Sequence, residues 1–107
     1  MNKNKIISEL TTLLAIALRH KIGSIVNENE LYAQKYAKDA EILLGEARKF
    51  SIKANWNQKD KSIIKNKLKS KLEAELVQRP FLNDKKFEIM NSEIDTVLRE
   101  LGLEKEN

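Results

Sequence analysis

A chain of 107 residues with 41% apolar side chains is long enough for one domain with a core of its own and short for two. Three glycines and one proline argue against a disordered or loop-rich chain, and the lack of cysteine removes disulfides, thiol catalysis and thiolate metal sites together. The net charge of +4 hides a segregation: residues 1–47 balance six basic against six acidic side chains, residues 48–71 hold nine against one, and residues 72–107 five against nine.

No stretch alternates with period two, and the apolar residues recur at three and four, which predicts an all-α chain. The first helix is expected over 5–22, with Ile7, Leu10, Leu14, Ala17 and Leu18 on one stripe. Arg19, His20 and Lys21 bring cations to its C-terminal end and Gly23 stops it, since a longer helix would place Lys21 inside the apolar arc. Lys3 and Lys5 ahead of the apolar run 6–18, with Ala-Ile-Ala at 15–17, have the outline of an export leader. Glu9 interrupts that run and the same residues form a helix face, so the reading is a cytoplasmic protein. No segment approaches the ~20 apolar residues of a membrane span, so no membrane partner is expected.

Asn27, with Glu30 three residues on, predicts the cap of a second helix over 28–54. Its heptad is regular: Ala33, Ala40 and Ala47 fall on one seam position, Tyr36, Leu43 and Phe50 on the other. Such a seam suits either the chain's own core or a second chain. Asn57 with Asp60 predicts a cap for a third helix over 58–78, which Arg79 and Pro80 end because the residue before proline is pushed out of the helical region. Asn83 or Asp84 caps a fourth helix over 84–101, with Phe87, Met90, Ile94, Val97 and Leu101 on one stripe and Gly102 as its stop. Short connections favour antiparallel neighbours, so the expected fold is a small antiparallel bundle of about four helices, one domain spanning 1–107. Leu43, Phe50, Leu68, Leu72, Ile94 and Leu98 are its expected core.

The densest charge, KDKSIIKNKLKSK at 59–71, carries six lysines. On a helical wheel Ile64, Leu68 and Leu72 form the buried stripe, Lys65 and Lys69 flank it on one side, and Lys67 and Lys71 on the other. These lysines therefore read as stems covering the core edge with their ammonium groups in water. The connection ahead of them is different, because Arg48, Lys49, Lys53, Lys59 and Lys61 stand beside Trp56, and cations interleaved with an aromatic are what backbone-plus-stacking recognition of a single strand requires. Arg48, Lys49, Lys53, Trp56, Lys59 and Lys61 are the candidate nucleic-acid-binding residues. Against that reading, Phe50 belongs to the second-helix seam and Trp56 suits a plug at the end of the bundle.

Catalysis needs tuned groups in a pocket, and a chain with one histidine, no cysteine and no glycine-rich loop offers no catalytic, cofactor or metal constellation. No cofactor and no small-molecule substrate are expected. His20, in LRHKIGSIV, faintly resembles the phosphoacceptor of a histidine-kinase helix, but Lys21 stands where that motif carries an acid, so a capping role at the helix end fits better. In size, helical makeup and basic middle, the chain resembles the small helical subunits of multiprotein nucleic-acid machines, such as those lining CRISPR effector complexes. That resemblance implies a non-enzymatic adaptor with a protein partner or self-association and a basic segment, 48–71, for nucleic acid. The alternative is a protein-interaction module, a homo-oligomer or a regulator of a larger enzyme, with no nucleic-acid binding.

Overall fold

The computed structural model describes residues 2–27 and 29–105, and the helix start expected at Glu28 falls outside them. Four helices follow in order, α1 (Lys3–Val26), α2 (Glu30–Ser51), α3 (Gln58–Val77) and α4 (Lys85–Glu100), with no strand among the described residues. They form an all-α bundle.

α1 departs from expectation by running through Gly23. The reasons lie elsewhere in the chain. Lys21, expected to sit badly in the apolar arc, places its Nζ 2.6 Å from Glu93 Oε2 on α4. Gly23 is buried against α2, where a β-carbon would stand 3.1 Å from Tyr36 Cδ2. Its missing side chain admits a ring; it does not end the helix. Asn27 therefore closes α1, its N–H donating to the Gly23 carbonyl at 3.0 Å, and the α2 cap passes to Asn29, whose Oδ1 accepts from Leu31 and Tyr32 N–H.

α2 ends at Ser51, three residues before the expected boundary at 54. The α3 capping box is complete: Asn57 Oδ1 accepts from Asp60 N–H at 2.8 Å, and Asp60 Oδ2 accepts from Asn57 N–H at 3.1 Å. At the start of α4, Asn83 Oδ1 accepts from Lys85 N–H while Asp84 makes no side-chain cap bond. Past α4, Gly102 takes φ +69°, Gly102 N–H donates to Arg99 O and Leu103 N–H to Leu98 O, which is the paired bonding of a Schellman close. Leu103 is buried as its hydrophobic contact.

The lateral contacts fix the direction of each helix. Lys3 meets Asp60, Lys71 meets Ser8, Thr11 and Thr12, and Arg19 meets Glu75, so α1 and α3 run parallel while α2 and α4 return. α1 lies at the centre and touches all three other helices; α3 and α4 also touch each other, and α2 touches α1 alone. The core follows. Leu10, Leu14, Leu18 and Ile22 of α1 close on Ile64, Leu68, Leu72 and Leu76 of α3 and on Ile94 and Leu98 of α4. Leu68, Leu72, Ile94 and Leu98 are buried as expected, whereas Leu43 and Phe50 are half-buried, because their helix has one neighbour rather than two. The alanine seam does face α1, with Ala40 and Ala47 buried. Phe87, expected on the α4 stripe, is 40% exposed at the first turn.

Candidate nucleic-acid interface

The up-down topology brings the start of α1, the end of α2, the start of α3 and the tail after α4 to one end of the molecule. Arg48 lies exposed in the last turn of α2. Lys49 is exposed and pairs with Glu46 Oε1 at 3.2 Å, an interaction that water and salt leave weak. Lys53 Nζ stands 4.0 Å from the Phe50 ring centroid. Lys59, in the first turn of α3, is exposed.

Trp56 sits between them as a half-buried ring packed on the core. Its Nε1 donates to the Ser51 carbonyl at 2.7 Å, and Lys3 Nζ lies 5.8 Å from its centroid. That bond closes the α2–α3 turn, so the indole serves as the plug that the sequence also suggested. The same Lys3 donates to Asp60 Oδ2 at 2.8 Å. This hydrogen bond, followed by that from Asn57 N–H, holds the Asp60 carboxyl below its ordinary range against the opposing effect of burial.

Lys61 is not part of this corner. It turns to the α3–α4 side, where it lines a cavity of about 300 Å³ with Lys65, Asp95, Leu98 and Glu104. The other lysines of the third helix behave as the wheel indicated. Lys65 Nζ lies 3.2 Å from Asp95 Oδ1, and Lys71 donates to Ser8 O, Thr11 Oγ1 and Thr12 Oγ1 at 2.9, 2.7 and 3.0 Å. Burial, reinforced by Lys67, lowers the Lys71 pKa. The structure thus brings together Arg48, Lys49, Lys53 and Lys59, adds Lys3 and the exposed Lys5 from α1, and leaves Lys61 on another face. Nothing in the local sequence around Lys3 and Lys5 signals that placement, which depends on α1 and α3 being parallel.

The other end carries a different surface. Ile25, Leu31, Tyr32, Val77, Phe81 and Phe87 are exposed where α1 and α3 finish and α2 and α4 begin. His20, expected at a helix end, lies inside α1. Its Nδ1 is 2.8 Å from the Ile16 carbonyl, which can only accept, so Nδ1 bears the proton, and Arg19 Nη2 lies over the ring, 3.5 Å from Nδ1 and 3.3 Å from Nε2.

Among the described residues no cluster of three or more histidine, cysteine or acidic side chains could hold a metal ion, and no helix is long and apolar enough to cross a membrane. No family model, curated protein or solved structure matches the chain.

Proposed function

We propose that this protein is a non-enzymatic helical adaptor, in which one end of the bundle holds the phosphate backbone of a nucleic acid and the other docks on a protein of a larger assembly. The observation that supports this reading is the distribution of surfaces along a molecule 40 Å long: Lys3, Lys5, Arg48, Lys49, Lys53 and Lys59 at one end, beside the exposed Ile52, and most of the exposed large aliphatic and aromatic side chains at the other. Lys65 pairs with Asp95 and Lys71 is held by α1 oxygens, whereas among the described residues none of these cations except Lys3 makes an ion pair with another helix. Their ammonium and guanidinium groups are available to displace counterions from phosphates. Sequence readout has no support in this arrangement, since lysine offers a point charge rather than the guanidinium fork.

Fluorescence anisotropy of labelled single- and double-stranded oligonucleotides against salt tests it. On a single strand, binding should weaken with a log–log slope of about −0.7 for each phosphate neutralised. Replacing Lys49, Lys53 and Lys59 with glutamine should flatten the slope by about two units. Trp56→Phe removes the indole donor from the Ser51 carbonyl and keeps an aromatic ring, so it should lower stability more than affinity. No binding to any oligonucleotide at ~50 mM salt, where electrostatic contacts are strongest, refutes the nucleic-acid half. The exposed apolar end favours the second reading, a protein-interaction module alone, and that result would leave it standing.

A further inference from the structure

The apolar end encloses a second group of cations, and this group is built into the fold. Arg79, the residue after the α3 cap, is held through its backbone: its N–H donates to Leu76 O, and its carbonyl accepts from Lys86 Nζ at 2.7 Å. Its guanidinium is poorly satisfied. Nη2 reaches Glu75 Oε2 only at 3.6 Å, beyond a hydrogen bond, while Arg19 Nη1 already holds that oxygen at 2.9 Å. Lys86 itself is 2% exposed, and among the described residues no carboxylate lies within ion-pair distance of it. Two guanidinium groups therefore share one carboxylate, and Lys86 stands behind them on the Arg79 carbonyl and the Phe87 ring. With Glu75 offsetting only one of the two guanidinium charges, this corner carries a charge that a bound anion would balance.

Between these groups lies a cavity of about 80 Å³, bounded by Arg19, His20, Gly23, Tyr36, Arg79 and Phe81. At about 30 Å³ per water it has room for two or three waters or for one tetrahedral or planar oxyanion. Gly23 keeps that space open, as a side chain there would meet the Tyr36 ring. The Arg19 guanidinium lies over the His20 ring, near both of its nitrogens. Phe81, 72% exposed, stands at the mouth as an apolar flank.

We infer that this cavity binds a small oxyanion, a phosphate or carboxylate group carried on an apolar or aromatic body. Arg79 supplies parallel N–H donors, Arg19 a second guanidinium, and Phe81 and Tyr36 pack against the body of the ligand. The site is independent of the basic end and stands whether or not that end binds nucleic acid.

Titration of the full chain with inorganic phosphate, phenyl phosphate and benzoate, followed by amide and arginine Nε–Hε resonances, tests the inference. Saturable shifts should appear at Arg79, Arg19, Gly23 and Tyr36. Phenyl phosphate should bind several-fold more tightly than inorganic phosphate, since only it meets Phe81; stronger binding by benzoate instead would assign the oxyanion as a carboxylate. Arg79→Gln leaves the Arg19–Glu75 pair in place and should weaken binding about tenfold or more, the loss that goes with a charged hydrogen bond. Lys53→Gln, at the other end of the molecule, should leave binding unchanged. An Arg79→Gln protein that is folded by circular dichroism and binds like the parent overturns the site. So does a failure of all three probes to saturate by ~10 mM, well past the weakest useful affinity, or saturable shifts confined to the basic end.

Discussion

Two helical glycines make opposite predictions for one substitution. In a helix interior Gly→Ala gains about 1 kcal/mol of propensity. Gly45, in the middle of α2, has nothing within 4 Å of where its β-carbon would be, so the gain should be realised in full. For a chain of this size that is about 4 °C in Tm. At Gly23 the new methyl meets Tyr36 Cδ2 at 3.1 Å, and carbon pairs rest near 3.5 Å or more, so the ring must recede by about 0.4 Å. That ring also meets the edge of His20, with centroids 5.9 Å apart, and overpacking of this kind costs about 1–3 kcal/mol. The net effect of Gly23→Ala should lie between about zero and 2 kcal/mol destabilising. Thermal and urea unfolding of both variants measures the difference, and Gly23→Ala in a Tyr36→Ala background should recover the full propensity gain. Equal stabilisation by the two single substitutions would refute the claim that α1 keeps Gly23 to admit the ring.

Leu72→Ala, at a site with no exposed surface between α1 and α4, should cost about 2–5 kcal/mol, while Leu43→Ala on the half-buried flank of α2 should cost clearly less in the same urea titrations. Asp60 has a folded pKa below its ordinary 3.8, so its contribution is present above that value and lost as pH falls through the folded one; Asp60→Asn should flatten the acid limb of stability below that range and leave its neutral-to-basic shape unchanged. Ala40→Leu should overpack the buried seam and destabilise the fold by about 1–3 kcal/mol, without changing the mass seen in sedimentation; a folded protein with altered association would instead make the seam an interface between chains.

What the sequence disclosed was mostly local. The Asn57/Asp60 box, the Arg79–Pro80 stop and the Gly102 close each depend on residues within a few positions, and each is found in the structure. The wheel of the third helix also gave the sides on which Lys65 and Lys71 reach α4 and α1. The errors came from distant partners. Glu93 stands 72 positions from Lys21, and without it the first helix looks broken at Gly23. Leu43 and Phe50 read as core because heptad spacing reports a face without saying how many helices cover it. The Arg19–Glu75–Arg79 group was unreadable for the same reason: Arg79 registers only as the residue before proline, and its neighbour Arg19 depends on α1 and α3 being parallel.

Because α2 packs on no helix but α1, with the Trp56 indole holding its last carbonyl, it is the helix that can open while α1, α3 and α4 keep their mutual contacts. Native-state hydrogen exchange should therefore divide the molecule in two. Core amides of α3 should exchange only through global unfolding, while those of α2 should exchange through a cheaper, sub-global opening with a smaller dependence on urea. Each opening would bare the half-buried side chains of Tyr36, Leu43 and Phe50 together with the α1 face beneath them. Exchange divided in this way would make the bundle a three-helix unit with a detachable fourth, and the free energy of that detachment would set how often a partner helix finds α1 uncovered.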